Sequence, residues 1–268
     1  MQALVDTLWS QVIAPAEARA LHGPGALHIK ADGSRVTAAD LDIEAILATG
    51  LARVFPDDGL QAEEGTVRAG AAWWAVDPID GTENYLRGSP DWSIALCRVV
   101  DQRPQLCALS FPARRERWWA AVGAGAWRDH QRVPLRSGGP LAPWTLGANP
   151  RGGAHVQLVH APLLLPASVL RHVQARWPGP VEAPRCTTRA MARVVEGSAA
   201  AALVGPGWQS WDVFGGLVLL GEVGLGAWTL DGRLLVPTDP AIDDERPPFV
   251  VGEAAAAAAL ARALHDAT

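Results

Sequence analysis

Residues 74–85 read Trp74-Ala75-Val76-Asp77-Pro78-Ile79-Asp80-Gly81-Thr82-Glu83-Asn84-Tyr85. An apolar run stops at one aspartate, and a second aspartate follows three residues later. The run 71–76 predicts a buried strand that ends at Asp77. Pro78 fixes the backbone between the two acids, and Gly81 permits a tight turn. In such a turn Asp77 and Asp80 converge on one point, an oxygen-rich arrangement that suits Mg2+. A helix starting near Thr82 would aim its first N–H groups at the same point, where they can hold a phosphate.

Upstream, Leu4, Leu8, Val12 and Ile13 follow helical spacing within residues 1–20. Residues 24–36 read as a loop. Val36-Thr37-Ala38-Ala39-Asp40 leads into an amphipathic helix carrying Leu41, Ile43, Ile46, Leu47, Leu51 and Val54, which ends before Pro56. Downstream, 92–100, 106–112, 117–122 and 126–135 read as sheet, with a turn near Gly123 to Gly125. The Gly- and Pro-rich stretch 137–153 marks a boundary between two lobes, 1–140 and 141–268. Helices are expected at 166–177, 187–197, 211–224 and 253–267, and a strand at 199–204. The first half is α+β and the second α/β.

The chain has 268 residues, of which 49% are hydrophobic and 19% charged, which fits a globular protein and excludes extended disorder. Its net charge of −5 argues against binding a nucleic acid polymer or an anionic membrane. An anionic ligand therefore needs local help from a metal ion, a helix N-terminus or an arginine. Cys97, Cys107 and Cys186 form no CxxC pair, which argues against a zinc knuckle and fits a reducing cytoplasm. No signal peptide and no membrane span is expected.

Asp77-Pro78-Ile79-Asp80-Gly81-Thr82-Glu83-Asn84-Tyr85 resembles the first signature of the inositol monophosphatase family. Trp211-Asp212-Val213-Phe214-Gly215-Gly216, followed by Glu222-Val223-Gly224, resembles the second. Val36-Thr37-Ala38-Ala39-Asp40, the pair Glu63-Glu64 and Gly88-Ser89-Pro90-Asp91-Trp92-Ser93-Ile94-Ala95-Leu96 match the family's further segments in order. The resemblance runs from about Lys30 to Gly224. It implies a layered αβαβα fold and a phosphomonoesterase that uses two or three Mg2+ ions. By resemblance Glu63, Asp77 and the Ile79 carbonyl hold the first ion, and Asp77, Asp80 and Asp212 the second. Gly81 and Thr82 receive the phosphate, with Asp80 and Asp212 also facing the substrate. Glu63, Thr82 and Asp40 are the catalytic candidates, Thr82 and Asp40 together positioning the attacking water. Lithium sensitivity and a homodimer are further implications.

The chain departs from the pattern in three places, one of them the end of the second signature, where Gly224-Leu225 replaces the usual two glycines. Arg185-Cys186-Thr187-Thr188 stands where a Gly-Ser or Gly-Thr pair is usual, and 203–210 lacks the glutamate that holds a sugar or inositol hydroxyl. Trp208, Gln209 or Ser210 is expected to face the substrate instead. The expected activity is hydrolysis of a small phosphorylated metabolite, inositol- or sugar-phosphate-like, by metal-activated water. The alternatives are a 3′(2′),5′-bisphosphate nucleotidase, a fructose-1,6-bisphosphatase or a histidinol-phosphatase. A non-catalytic or repurposed family member is the alternative of another class.

Overall fold

The computed structural model describes residues 1–31, 33–136, 163–164, 180–235, 246–255, 257–258 and 260. The chain opens with α1 (Gln2–Leu8), a π-helical turn (Trp9–Ile13) and α2 (Ala14–Ala20). A hairpin of β1 (Leu27–Ile29) and β2 (Arg35–Thr37) leads into α3 (Ala38–Val54). Then come β3 (Gly59–Ala62), β4 (Val67–Arg68), β5 (Ala72–Asp80) and the short α4 (Thr82–Leu86). Strands β6 (Ser93–Val100), β7 (Arg103–Phe111), β8 (Glu116–Ala121), β9 (Gly125–Arg128) and β10 (Gln131–Arg132) continue the chain. The later elements are β11 (Leu163–Leu164), β12 (Val181–Glu182), α5 (Thr187–Glu196), β13 (Ala201–Val204), α6 (Ser210–Glu222), β14 (Gly226–Thr229) and β15 (Phe249–Gly252).

Two main sheets and two helical layers alternate. The first sheet runs β10-β9-β8-β7-β6-β5-β3-β4, antiparallel except where β3 lies parallel to β5. The second runs β12-β11-β13-β15-β14. One face of the first sheet is covered by the N-terminal helices, through Leu8, Ile13, Ile43, Leu47 and Leu51. The other face packs on α5 and α6 through Met191, Val218 and Leu109, and this core continues into Val251 and Phe249 of the second sheet. Both halves of the chain therefore share one core. Strand β5 has helices on both faces, so it reads as a continuous apolar run and not as an alternating one. In the second signature, Gly216 brings α6 onto α5: a Cβ there would lie 1.9 Å from Met191 Sδ.

Several expectations need correction. Strand β5 does not stop at Asp77 but runs on to Asp80. Residues 24–36 are not all loop, because they include β1 and the start of β2. Helix α3 starts at Ala38, where the Thr37 and Asp40 side chains form a reciprocal capping box. Segment 126–135 divides into β9 and β10 across a turn at Asp129 and His130, both with positive φ. The boundary at 137–153 and the helix at 166–177 lie outside the described residues. So does most of 253–267, which is helical at 254–255, 257–258 and 260.

A partly buried charge pair braces the first sheet. Arg98 on β6 donates to Asp58 through Nε (2.6 Å) and Nη2 (2.8 Å), and Trp74 Nε1 donates to the same carboxylate at 2.9 Å. Burial raises the Asp58 pKa, but the hydrogen bonds and charge of Arg98, with Trp74, outweigh it and hold the group below its ordinary value. A depressed folded pKa means stability that is present above about pH 4 and lost as pH falls through the folded value. Asp58→Asn is expected to cost about 2 kcal/mol at neutral pH. It should also flatten the loss of stability below pH 4, measured by urea unfolding across pH.

Candidate active site

The site forms where β5 breaks register with β6. Asp77 pairs with Ala95 and Asp80 with Ser93, so three steps along β5 match two along β6. The extra residue makes a β-bulge. On a regular strand, residues three apart point to opposite faces. The bulge reverses that parity and brings Asp77 and Asp80 to the same side. Pro78, with no N–H for the ladder, sits inside it.

Glu63 enters from the parallel neighbour. Ala62 lies beside Val76, and the Glu63 N–H donates to the Val76 carbonyl at 3.1 Å. Its carboxyl adjoins that of Asp77, and its charge disfavours the charged form of Asp77. Asp77 is buried, and its Oδ1 has no hydrogen-bond partner. Burial, then the charges of Glu63, Asp80 and Asp212, push its pKa well above the carboxylate range. Burial also raises Glu63, against the pull of Lys30. Asp212, in the first turn of α6, is pushed up to about 7 by burial, against the hydrogen bond it accepts from the Gln209 N–H at 2.6 Å. Lys30 Nζ lies 2.8 Å from Glu64 Oε1 and 3.4 Å from Glu63 Oε1. Even so, burial pushes Glu64 up to about 7.

Asp80 is anchored from the far half of the chain. It accepts from the Thr187 N–H (3.1 Å), the Thr188 N–H (2.7 Å), Thr188 Oγ1 (2.6 Å) and Cys186 Sγ (3.2 Å). It therefore caps α5, satisfying N–H groups that the helix cannot. Ser93 Oγ, opposite Asp80 on β6, lies 2.5 Å from Thr188 Oγ1. Gly81 has φ +89°, and a Cβ there would sit 3.0 Å from Cys186 Cβ and 3.2 Å from the Arg185 carbonyl. The turn after Asp80 thus needs glycine both for its conformation and for the approach of the 185–186 segment.

The remaining expected residues lie close by but in other hydrogen bonds. Thr82 Oγ1 donates to the Ile79 carbonyl at 3.2 Å, and no hydrogen bond joins Thr82 to Asp40. Asp40 Oδ2 accepts from the Thr37 N–H (2.8 Å) and Oγ1 (2.5 Å), while its buried Oδ1 has no partner. Among the described residues, no three Asp, Glu, His or Cys side chains are gathered tightly enough to hold an ion as they stand. Asp80 is turned toward α5, Asp212 toward Gln209, and Glu63 toward Lys30 and Asp77. Rotation of these side chains toward Asp77 Oδ1 would be required.

Other signature residues brace the fold. Asn84 Nδ2 donates to the carbonyls of Asp91 (2.6 Å) and Pro184 (2.7 Å), and Tyr85 donates to the Ala20 carbonyl at 2.6 Å. Glu222 accepts from the Gly123 and Gly125 N–H groups at 2.9 and 2.7 Å, tying α6 to the β8–β9 turn.

Glu44 is a residue the sequence reading missed. Buried on α3, it accepts from the Glu64 N–H (2.6 Å) and the Thr66 N–H (2.9 Å), which holds the turn that presents Glu63. The available signal was an acid one helical turn after Asp40, beside Ile43 and Leu47 on the buried face. Glu44→Gln leaves one of those N–H groups without its carboxylate acceptor. The Mg2+ concentration for half-maximal activity is expected to rise at least about tenfold, read from a Mg2+ titration of phosphate release.

A cavity of about 310 Å3 adjoins Asp212 and Thr187, walled by Leu203, Val204, Pro206 and Trp208, with Arg185 at its edge. Trp208 lines it, with its Nε1 donating to the Pro247 carbonyl at 2.9 Å. Gln209 is engaged by Arg246. A larger cavity, about 790 Å3, lies between the N-terminal helices and β8. Asp6, Glu17, Glu116 and Asp129 line it, and Glu17 is held by Ser110 (2.5 Å) and Arg117 (2.7 Å).

A family model described as "Inositol monophosphatase family" matches residues 10–268. A Streptomyces griseus protein named glucose-1-phosphate thymidylyltransferase is 34% identical over 230 residues, covering 80% of this chain and 82% of that protein. A histidinol-phosphatase from Mycobacterium tuberculosis is 41% identical over 99 residues, covering 36% of this chain and 38% of that protein. The crystal structure of extragenic suppressor protein suhB from Bartonella henselae superposes with a TM-score of 0.79 at 19% identity, covering 98% of both chains, which establishes a shared fold.

Proposed function

The chain belongs to the inositol monophosphatase family, and from that premise we propose that it hydrolyses the phosphate ester of a small metabolite with the help of Mg2+. One observation carries the reading: Asp77 Oδ1 is buried without a partner among Glu63, Asp80 and Asp212. Such a donor set is oxygen-only and over-supplied with negative charge, which fits a hard divalent cation and not a soft metal.

Glu63, Asp77 and the Ile79 carbonyl would hold one ion, and Asp77, Asp80 and Asp212 another. Bound Mg2+ would lower the pKa of a water and offset charge on the phosphate. The N–H groups of Gly81 and Thr82, at the turn into α4, receive phosphate oxygens. Thr82 Oγ1, released from the Ile79 carbonyl, can donate to the free Oδ1 of Asp40, and the pair then orients the attacking water and holds its proton. Ser93, Thr188 and Glu44 keep the carboxylates in place. The cavity beside Asp212 takes the leaving alcohol. The free cysteines Cys97, Cys107 and Cys186 support a reducing, cytoplasmic setting. Among the described residues no helix is long and apolar enough to cross a membrane.

The relatives' names differ in chemistry, so the assay must separate them. Phosphate release is measured with Mg2+ or EDTA from inositol 1-phosphate, fructose 1,6-bisphosphate, histidinol phosphate and 3′-phosphoadenosine 5′-phosphate. A further arm supplies glucose 1-phosphate with dTTP. Mg2+-dependent release of phosphate from an ester supports the proposal. Pyrophosphate release in the dTTP arm, with no ester hydrolysed, would replace hydrolysis by nucleotidyl transfer.

A further inference from the structure

Glu83, the residue after Thr82, is shared by three arginines. Arg87 Nη2 lies 2.5 Å from its Oε1, Arg185 Nη1 2.6 Å from its Oε2, and Arg35 Nη1 3.7 Å from its Oε1. These come from the residue that ends α4, from the segment before α5 and from the β1–β2 hairpin, so three separate parts of the chain converge on one carboxylate. One negative charge against three guanidiniums leaves a local surplus of positive charge in a protein whose net charge is −5. All three arginines remain accessible, with side-chain exposures of 38–57%. Their remaining donors can therefore meet a ligand.

The position of this cluster matters more than its charge. Arg185 lines the 310 Å3 cavity that begins at Asp212 and Thr187. Among the described residues only its Nη1 is engaged, leaving the other donors of a rigid fork available. Its backbone is left-handed, with φ +56°, a conformation that side-chain-bearing residues adopt rarely and that clusters at ligand sites. The opposite wall of the cavity, Leu203 to Trp208, carries no acid that could accept from a hydroxyl or an amine. Arg185 is the one cation that lines the cavity among the described residues, and it joins the cavity to the arginines gathered on Glu83.

We propose that Arg185, with Arg35 and Arg87, binds a second anionic group on the leaving-alcohol side of the substrate. The substrate class is then a phosphate monoester bearing a further phosphate or carboxylate, in preference to a neutral polyol phosphate or a cationic amino-alcohol phosphate. This rests on the phosphatase reading and adds to it the charge of the unreacted end. Arginine recognises both anions by the same paired N–H geometry.

The test uses the full-length enzyme with Mg2+ and two matched pairs. Fructose 1,6-bisphosphate against fructose 6-phosphate adds a phosphate, and 3-phosphoglycerate against glycerol 3-phosphate adds a carboxylate. Histidinol phosphate supplies the cationic case. Wild type is expected to favour the anion-bearing member of at least one pair by about tenfold in kcat/KM. Which pair shows the effect tells phosphate from carboxylate. Arg185→Gln should erase most of that ratio through KM. Glu83→Gln, which frees the guanidiniums, should raise the ratio. Equal kcat/KM within both pairs, a preference for histidinol phosphate, or ratios unmoved by either variant would overturn the inference while leaving the phosphatase reading standing. Failure to hydrolyse any of these esters or p-nitrophenyl phosphate would overturn both.

Discussion

Asp77→Asn is expected to abolish Mg2+-dependent phosphate release, by at least about a thousandfold, without weakening the metal-free fold. In the proposed arrangement this carboxylate would be a ligand of both ions, and losing it would remove several kcal/mol of transition-state stabilisation, at about 1.4 kcal/mol per tenfold in rate. Stability moves the other way. Asp77 is buried with an unpartnered Oδ1, and burial together with Glu63, Asp80 and Asp212 disfavours its charge. Asparagine removes the charge, and its Nδ2 can donate to the neighbouring Glu63 carboxylate. The melting temperature without Mg2+ should be unchanged or higher than wild type. The stabilisation that Mg2+ gives wild type by mass action should disappear. A variant that melts well below wild type without Mg2+ would show that Asp77 is a structural residue.

Arg189→Met should be the most destabilising single change among the polar residues where α5 meets the first sheet. Arg189 is 5% exposed on α5 and lies over the Phe111 ring, 5.5 Å from its centroid. Its Nη1 is 3.3 Å from Glu116 Oε2 and its Nη2 is 3.5 Å from Glu196 Oε1. Its Nε, 3.6 Å from Asp91 Oδ1, makes no hydrogen bond. Removing one member of a buried charge network costs roughly 3–5 kcal/mol because the partners are left uncompensated. Here the acids keep other partners. Arg114 holds Asp91 at 2.6 Å, and Arg128 reaches Glu116 at 3.2 Å and Glu196 at 3.1 Å. The expected loss is therefore about 3 kcal/mol, at the low end of that range, read from urea unfolding at constant m-value. A loss below about 1 kcal/mol would mean the remaining arginines suffice.

The two motifs made the fold and the carboxylate set legible because each residue has a local chemical reason. An apolar strand with helices on both faces reads as an uninterrupted run, and Asp212 lies in the first turn of a helix whose Gly216 admits Met191. What escaped was long-range. The bulge that turns Asp77 and Asp80 to one side depends on a missing step in β6, which no pattern in residues 74–85 reveals. Asp80's partners lie more than a hundred residues away. The Thr82–Asp40 pairing expected from resemblance is replaced by local bonds to Ile79 and Thr37. Glu44 looked like one more acid on a helix until the 62–66 turn folded over it. The hairpin in 24–36 was hidden because its strands are three residues each and β1 is exposed throughout.

The most direct measurement is to soak crystals in Mn2+, as a stand-in for Mg2+, and locate the anomalous peaks. The account predicts one peak bounded by Glu63, Asp77 and the Ile79 carbonyl and a second bounded by Asp77, Asp80 and Asp212, both absent in Asp77→Asn. Peaks elsewhere, or none at these carboxylates at saturating Mn2+, would contradict it.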